Sequence, residues 1–308
     1  MDEFELINRY FVRVGKAHGV VTGIGDDGAV LLPDPGRELI CVIDTLVEGV
    51  HFPSDIHAAD LGYRAVAVNL SDIAAMGGRP RWMTLALTLA KSDEVWVADF
   101  AKGLHEAAVE HDMSLVGGDL TRGDNTVVTV QITGDVDQGN AIHRSGARVG
   151  DTIFVTGTIG DAAAGLERLS AGKPDDYLCS RFLRPAARVS FGQMLVGVAS
   201  AAIDISDGLL GDLQKLLDAS GVGAELDLDS LPLSDALRSA FDAEAQRRFA
   251  LCGGDDYELC FTAAGDVLPL AGDPRVTAIG RIVAADSIVC RAGGEIVEYA
   301  DSGYRHFQ

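Results

Sequence analysis

The sequence has little positive charge and no long apolar run, and both absences exclude classes of protein. It carries 25 lysines and arginines against 46 aspartates and glutamates, a formal net charge of −21. Without a basic stretch, such a chain repels nucleic acid and anionic membranes, so neither is an expected partner. No apolar run reaches membrane-spanning length, and the acidic N-terminal residues lack the layout of a signal peptide. We therefore expect cytoplasmic localisation.

Several common metal and nucleotide motifs are missing as well. The five cysteines show no CxxC spacing and have apolar neighbours, which predicts core residues rather than disulfides or zinc ligands. Neither Gly-Lys pair is followed by a hydroxyl residue, because Ala17 and Pro174 come next, so a Walker P-loop is excluded. Residues 23–28 match GxGxxG, but the strand-like AVLL follows where a dinucleotide fingerprint needs a helix.

Hydrophobic patterns in the first half of the chain alternate between strand and helix. Apolar runs at residues 39–46 and 83–90 predict buried strands, and residues 114–119 and 126–136 predict two more. Asp60 is a candidate N-cap of a helix that runs to Met76 and ends at Gly77 and Gly78. An amphipathic helix is expected from Asp93 to His111.

A polar, turn-rich stretch at residues 138–150 is the expected domain boundary, which gives domains of residues 1–137 and 138–308. The second domain should contain a helix after Gly160, a long helix with Pro185 in its first turn, and a closing hairpin with an AGG turn. Helices grouped around hairpin-like strands favour an α+β fold, with mixed sheets flanked by helices, over a doubly wound parallel sheet.

Aspartates recur after apolar strands or beside glycine turns. They are Asp26, Asp27, Asp44, Asp72, Asp119, Asp204, Asp207, Asp255 and Asp256. For any single one, a turn or helix cap is a sufficient explanation. Two carboxylates about 4 Å apart repel by roughly 4 kcal/mol at an effective dielectric near 20, so several in one cleft must be protonated or bridged by cations. With no histidine or cysteine nearby, the oxygen ligands favour magnesium or another hard divalent ion, which bridges carboxylates to polyphosphates.

Other candidates are weaker when taken singly. His51 is a candidate phosphate or pyrimidine ligand, or a partly buried histidine bonded to the backbone. Arg144 suits a forked contact with phosphates, or is a solvated surface arginine. Gly117 and Gly118 allow a phosphate to approach the backbone closely, although a tight turn uses the same residues. Ser206 is a helix cap or a nucleotide contact.

Taken together, the motifs resemble those of the thiamine-monophosphate kinase family over nearly the whole chain. They occur in the order GIGDDGAVLL, DTLVEGVHF, NLSDIAAMGGRPRW, GGDLTRG, HRSGARVGD, TGTIGDAAAGL, AIDISDGLLGDL, GGDDYELCFT and GYRHF. The resemblance implies the two-domain architecture of the aminoimidazole ribonucleotide synthetase superfamily. The N-terminal domain would bind ATP and magnesium and form a homodimer, and the C-terminal domain would complete the substrate site.

The resemblance also implies residue roles. The expected ligands of several magnesium ions are Asp27, Asp44, Asp72, Asp119, Asp204 and Asp207. The expected ATP contacts are Gly118, Asp119, Arg144 and Ser206, and the expected contacts of thiamine monophosphate are His51, Asp255 and Tyr304. Two departures stand out. Val42 and Ile43 precede Asp44 where the family often has hydroxyl residues, and GGDDYE replaces GGEDYE, which shortens the carboxylate at Asp255.

The implied reaction is direct, in-line transfer of the ATP γ-phosphoryl group to thiamine monophosphate. No general base is needed, because the acceptor oxygen is already an anion, and catalysis is expected from positioning and magnesium-assisted electrostatics. The first alternative is another ATP-dependent synthetase of the same superfamily. A non-catalytic acidic protein that binds divalent cations is the second.

Overall fold

A computed structural model describes residues 2–15, 18–91, 93–264, 276–298 and 303. The chain divides into two compact units, one made of Met1–Ile73 and Gly78–Gly139 and the other of Ala74–Gly77 and Asn140–Gln308. Both units combine helices with sheets, and the α+β class expected from the sequence is confirmed.

The first unit is built on a four-stranded sheet with the order β3-β6-β4-β5. β4 and β5 are parallel, whereas β6 pairs antiparallel with β3 and with β4. Its strands are β1 (Val20–Thr22), β2 (Val30–Leu31), β3 (Arg37–Val47), β4 (Arg79–Leu89), β5 (Ser114–Arg122) and β6 (Val127–Asp137). Its helices are α1 (Glu3–Leu6), which a π-helical turn at Ile7–Phe11 continues, α2 (Ala58–Ala75) and α3 (Glu94–Glu110).

Helices α2 and α3 pack closely because glycines remove side chains at their contact. A Cβ at Gly62 would overlap the carbonyl oxygen of Phe100, and a Cβ at Gly103 would overlap that of Ala59. Ile73 of α2, which is fully buried, lies close to the sheet residue Gly134. The apolar stripe predicted for α3 is thus buried in the core of this unit.

The opposite face of this sheet is open. Positions 39, 41, 43 and 45 of β3 are exposed, with Leu39 at 50 % and Ile43 at 64 %. Threonines from the neighbouring strand share this face, and the hydroxyl groups of Thr45 and Thr129 are hydrogen-bonded at 2.9 Å. Cys41 lies here too, so the expectation that every cysteine is a core residue is wrong for Cys41. The structure describes all five cysteines and joins none of them by a disulfide.

The second unit contains a seven-stranded mixed sheet with the order β13-β12-β9-β11-β7-β10-β8. Its strands are β7 (Thr152–Thr156), β8 (Ala201–Asp204), β9 (Gly223–Asp227), β10 (Leu259–Ala263), β11 (Val276–Val283), β12 (Ile288–Ala292) and β13 (Glu295–Val297). Its helices are α4 (Asp161–Ser170), α5 (Asp176–Leu183), α6 (Val189–Met194), α7 (Leu209–Ser220), α8 (Asp235–Ala240) and α9 (Ala243–Cys252), and a 3-10 turn covers Leu228–Ser230. Leucines of α7 and the inner residues of β7, β8 and β9 form its main core. Among the described residues, no helix combines the length and apolarity needed to cross a bilayer.

Two local expectations are corrected. Asp60 is not an N-cap, because α2 begins two residues earlier at Ala58, and the imidazole of His57 accepts the N–H of Ala59 at 3.3 Å. Pro185 does not open a long helix. It lies between α5, which ends at Leu183, and α6, which begins at Val189, so the proline marks an interruption of the helix.

Candidate active site

The first unit has a cavity of 780 Å³, within the usual range for small-molecule sites. Residues 24–29 and 115–120 line it together with Phe4 and Asn8 of the N-terminal helical segment. Its walls therefore include Asp26, Asp27, Asp119 and Gly118, next to apolar residues. The cavity is thus shared by two predicted metal ligands, Asp27 and Asp119, and by two predicted ATP contacts, Gly118 and again Asp119.

The segment that carries Asp26 and Asp27 is a turn rather than a dinucleotide fingerprint. Gly25 has φ +120°, which favours glycine, and Asp27 N–H donates to Asp26 Oδ1 at 2.8 Å. The next element is β2 (Val30–Leu31), not a helix. The rejection of the GxGxxG match is thus confirmed, and the turn brings both aspartates to the cavity wall.

Gly118 and Asp119 lie inside β5 rather than in a turn or at the end of the strand. A register shift opposite Met83 and Thr84 leaves Val116 as an extra residue in β5. A Cβ at Gly118 would overlap the carbonyl oxygen of Leu85, so the parallel neighbour β4 already requires glycine there. The turn interpretation of Gly117 and Gly118 is wrong, because β5 continues to Arg122.

Asp44 and Asp72 also differ in setting from the sequence interpretation. Asp44 is not the last residue of its strand, since β3 continues to Val47 and pairs Asp44 with Val130 of β6. Its side chain is partly buried. Asp72 is a partly buried residue in the last turns of α2.

His51 follows β3 and is tied to it by two backbone contacts. Its Nδ1 accepts the N–H of Val47 at 3.0 Å, and its own N–H donates to the Val47 carbonyl at 2.9 Å. Because Nδ1 accepts, a neutral ring carries its proton on Nε2. The alternative in which His51 is bonded to the backbone described this local contact correctly.

In the second unit, two short segments that carry predicted site residues are joined by backbone hydrogen bonds. Ile205 N–H donates to Glu258 O, Tyr257 N–H to Ile205 O, and Asp255 N–H to Ser206 O, each at 2.8 Å. Asp204, at the end of β8, is 4 % exposed and begins this region. The fold thus brings the predicted ATP residue Ser206 and the predicted substrate residue Asp255 into contact, two residues after the predicted metal ligand Asp204.

Residues 255–257 form a sharp turn, here called the Asp255 corner, in which two residues adopt left-handed backbone angles. Asp255 has φ 71° and Tyr257 has φ 52°, values that non-glycine residues seldom adopt. The Tyr257 hydroxyl donates to Asp255 Oδ1 at 3.1 Å, which orients the carboxylate predicted to contact substrate. Sequence reasoning assigned no role to Tyr257.

Two buried acids next to this corner were also missed as organising residues. Glu258 accepts hydrogen bonds from Arg181 Nη2 at 2.8 Å, Arg188 Nε at 2.6 Å and Thr156 Oγ1 at 2.6 Å. Asp256 accepts the N–H of Gly160 at 2.6 Å and of Ala162 at 3.3 Å at the start of α4. Burial raises the pKa of Asp256 to about 8, and these hydrogen bonds oppose the rise. An acid directly before a mostly apolar strand, LCFTA, was the available signal for Glu258.

Asp207 is paired with a lysine. Lys215 Nζ lies 2.7 Å from Asp207 Oδ2 and 2.8 Å from Oδ1 of the buried Asp212. Asp207 does not cap α7, because Gly208 precedes that helix and no side chain caps it. Asp212 was missed, although an acid among the buried leucines of α7 was a visible signal.

Arg144 has an exposed side chain on a segment fixed through its backbone. Ser220 Oγ donates to the Arg144 carbonyl, and Gly146 N–H donates to Ser220 Oγ, both at 3.2 Å. Tyr304, the remaining predicted substrate contact, lies outside the described residues.

The chemistry of the donors fits a hard divalent ion. In the part of the chain that the structure describes, no three His, Cys, Asp or Glu side chains lie close enough together to hold an ion alone. The predicted ligands therefore do not form a closed cage. Magnesium commonly uses one or two carboxylates together with waters and substrate phosphates, so the carboxylates of Asp27 and Asp119 in one cavity suit it.

Comparisons with known proteins agree over most of the chain. The family model "AIR synthase related protein, N-terminal domain" matches residues 25–136, and its C-terminal counterpart matches residues 148–292. The thiamine-monophosphate kinase of Escherichia coli strain K12 is 48 % identical over 320 aligned positions, covering 99 % of this chain and 98 % of the relative.

Solved structures of thiamine-monophosphate kinases are also similar to this chain. The crystal structure of thiamine-monophosphate kinase from Stenotrophomonas maltophilia K279a is similar with a TM-score of 0.87 and 43 % identity, covering 96 % of this chain and 98 % of that one. The structure of AaThiL complexed with AMPPCP and TMP has a TM-score of 0.80 and 33 % identity, and 92 % of each chain is covered.

Proposed function

Because the chain belongs to the AIR synthase related family and, within it, to the thiamine-monophosphate kinases, we propose that it phosphorylates thiamine monophosphate with ATP and releases thiamine diphosphate. The observation that carries this proposal is the similarity over nearly the full chain to AaThiL, which was solved with AMPPCP and TMP. AMPPCP is an ATP analogue whose terminal phosphoryl group is not transferred, so that complex holds TMP together with a stand-in for ATP.

The reaction needs positioning more than acid–base chemistry. The acceptor phosphate oxygen is an anion at neutral pH, so the γ-phosphoryl group passes to it directly and in line, without an enzyme-bound intermediate. The obstacle is the repulsion between two anionic reactants. The cavity bordered by Asp27, Gly118 and Asp119 supports binding of the polyphosphate there through cations, since bare carboxylates would repel it.

We assign the metal ligands to Asp27, Asp44, Asp72, Asp119, Asp204 and Asp207. When bound to them, Mg²⁺ would neutralise phosphate charge and orient the two reactants. Support comes from the oxygen-only character of this set and from the shared cavity of Asp27 and Asp119. Asp207 also has a cation beside its carboxylate already, the ammonium of Lys215 at 2.7 Å.

The remaining assigned residues bind and orient the reactants. For ATP these are Gly118, Asp119, Arg144 and Ser206, and for thiamine monophosphate His51, Asp255 and Tyr304. His51 suits a phosphate because its neutral ring, with Nδ1 accepting the Val47 N–H, carries an N–H donor on Nε2. Asp255 suits a cationic or hydrogen-bonding part of the substrate, since Tyr257 fixes the direction of its carboxylate.

We further propose a homodimer in which the open face of the four-stranded sheet contacts a second copy of the chain. Leu39 and Ile43 expose apolar side chains there, and Thr45 and Thr129 add hydroxyl groups to the same face. An exposed apolar sheet face of this kind favours association. The two-fold symmetry common among homodimers would place identical faces against each other.

Cytoplasmic localisation is part of the same proposal. Its support is the supply of ATP in that compartment and the absence of any disulfide among the five cysteines, all of which are described.

The decisive experiment is incubation of the purified protein with ATP, Mg²⁺ and thiamine monophosphate, followed by chromatography for thiamine diphosphate. Each component is omitted in turn, and aminoimidazole ribonucleotide precursors serve as competing acceptors. Diphosphate that forms only in the complete mixture supports the kinase. Magnesium uptake with no product would instead identify a non-catalytic cation-binding protein, and reaction with another acceptor would identify a different synthetase of the superfamily.

A further inference from the structure

The turn between β8 and α7 is fastened to a buried carboxylate. Asp212 is 1 % exposed, and its Oδ2 accepts the N–H groups of Ser206 and Asp207, each at 2.9 Å. These two residues are the proposed ATP contact and metal ligand of the turn. A buried carboxylate that accepts two adjacent backbone donors fixes the path of that backbone. Asp212 is therefore a positioning residue for the turn.

Lys215 connects Asp212 to Asp207, and its two contacts have different surroundings. The side chain of Asp212 is 1 % exposed, whereas that of Asp207 is 37 % exposed and that of Lys215 is 44 % exposed. A buried carboxylate depends strongly on its counter-charge, because the partner left alone would be an uncompensated buried charge. An exposed ion pair is weak and exchanges easily. The ammonium is thus anchored at Asp212 and exchangeable at Asp207.

We propose that Lys215 is the resident cation of Asp207 and competes there with the divalent ion. The inference rests on the proposed function in taking Asp207 as a metal ligand. An ion that arrives alone meets a carboxylate that is already paired with the ammonium of Lys215. An ion that arrives with ATP gains phosphate contacts as well, which compensate for displacing the ammonium. Lys215 therefore favours binding of the ion together with nucleotide over binding of the ion alone.

The test replaces Lys215 with methionine, which keeps most of the side-chain length and removes the charge. Mn²⁺ serves as the spectroscopic probe, and its dissociation constant is measured by electron paramagnetic resonance without nucleotide. For Lys215→Met we expect a dissociation constant about two- to fivefold lower than wild type, the size expected for an exposed ion pair. Lys215→Arg keeps the charge and should stay within about twofold of wild type.

A double-mutant cycle shows whether the effect acts through Asp207. In an Asp207→Asn background, Lys215→Met should change Mn²⁺ affinity no further. Lys173→Met, in the exposed turn after α4, is the matched control for loss of one positive charge. Thermal unfolding confirms that each variant is folded.

Unchanged or weaker Mn²⁺ binding in Lys215→Met would overturn the inference, as would an effect that persists in the Asp207→Asn background or appears equally in Lys173→Met. The kinase assay on wild type keeps the two proposals separate. Wild type that forms thiamine diphosphate while Lys215→Met leaves Mn²⁺ affinity unchanged refutes only the role of Lys215. Wild type that forms no diphosphate refutes only the kinase assignment.

Discussion

Replacement of Glu258 by glutamine tests whether the buried ion pairs hold the Asp255 corner in place. The Glu258 carboxylate is fully buried and lies between Arg181, 10 % exposed, and Arg188, 30 % exposed. Glutamine has nearly the same shape but carries no charge. Its NH₂ group would also face the hydrogen-bond donors of Arg181, Arg188 and Thr156. The substitution therefore leaves buried guanidinium charge without compensation.

The expected loss of unfolding free energy is about 3 kcal/mol, at the lower end of the range for breaking a buried ion pair. At about 2–4 °C per kcal/mol this lowers the melting temperature by roughly 6–12 °C. Glu225→Gln is the matched control, because Glu225 also pairs with an arginine, Arg281, at 2.7 Å, but with side chains 27 % and 67 % exposed. That substitution should cost less than about 1 kcal/mol.

Urea unfolding of both variants is best followed by circular dichroism, because both tryptophans, Trp82 and Trp96, belong to the other unit. Glu258→Gln should also raise KM for thiamine monophosphate, since the corner that carries Asp255 loses its support. A loss below about 1 kcal/mol, or equal losses in the two variants, would refute the reasoning that burial makes this pair essential.

Three further predictions follow from the same geometry. The unfolding free energy of wild type, measured relative to that of Asp256→Asn, should fall as pH rises from 5 to 8, by at most about 1.4 kcal/mol per pH unit. The reason is that the pKa of the folded Asp256 carboxyl is raised to about 8, so it keeps a proton that the unfolded carboxyl releases. Tyr257→Phe should raise KM for thiamine monophosphate by up to about tenfold with kcat little changed, since one hydrogen bond worth about 0.5–1.5 kcal/mol no longer orients Asp255. Leu39→Lys should convert the proposed dimer to a monomer in sedimentation velocity, because it places charge on the open sheet face.

Each of these has an outcome that contradicts it. A pH-independent difference between wild type and Asp256→Asn would mean that the carboxyl is ionised throughout this range. An unchanged KM in Tyr257→Phe, with fold and kcat intact, would remove the positioning role of the hydroxyl. For the dimer, Val95→Lys is the control, since Val95 is 72 % exposed on α3. Equal dissociation in both variants, or in neither, would contradict the assigned interface.

Much of the secondary structure was predictable because strong local signals act there. The apolar run at residues 39–46 lies within β3, and Asp93 caps α3 by accepting the N–H groups of Val95 and Trp96. Strand β11 was missed, and a glycine interrupts its pattern. A Cβ at Gly280 would overlap the carbonyl oxygen of Glu225, so contact with the neighbouring strand decides that residue rather than local propensity.

The site was less predictable than the fold, because its organisation depends on contacts between distant segments. The motif resemblance supplied the assigned ligands. It did not reveal that the Asp212 carboxylate accepts the backbone N–H groups of Ser206 and Asp207 and so fixes their turn. Nor did it show that the ammonium of Lys215 forms an ion pair with Asp207, a proposed metal ligand. Such roles follow from burial and pairing in three dimensions, which spacing along the chain does not encode.

The three backbone hydrogen bonds between residues 205–206 and 255–258 also limit how this enzyme can evolve. Side chains on either segment can be exchanged while the bonds remain. An inserted or deleted residue would shift the pairing and turn every following side chain away from its partner. Changes of acceptor, in nature or in the laboratory, should therefore arise by substitution at constant loop length, and libraries that vary length here should yield few active proteins.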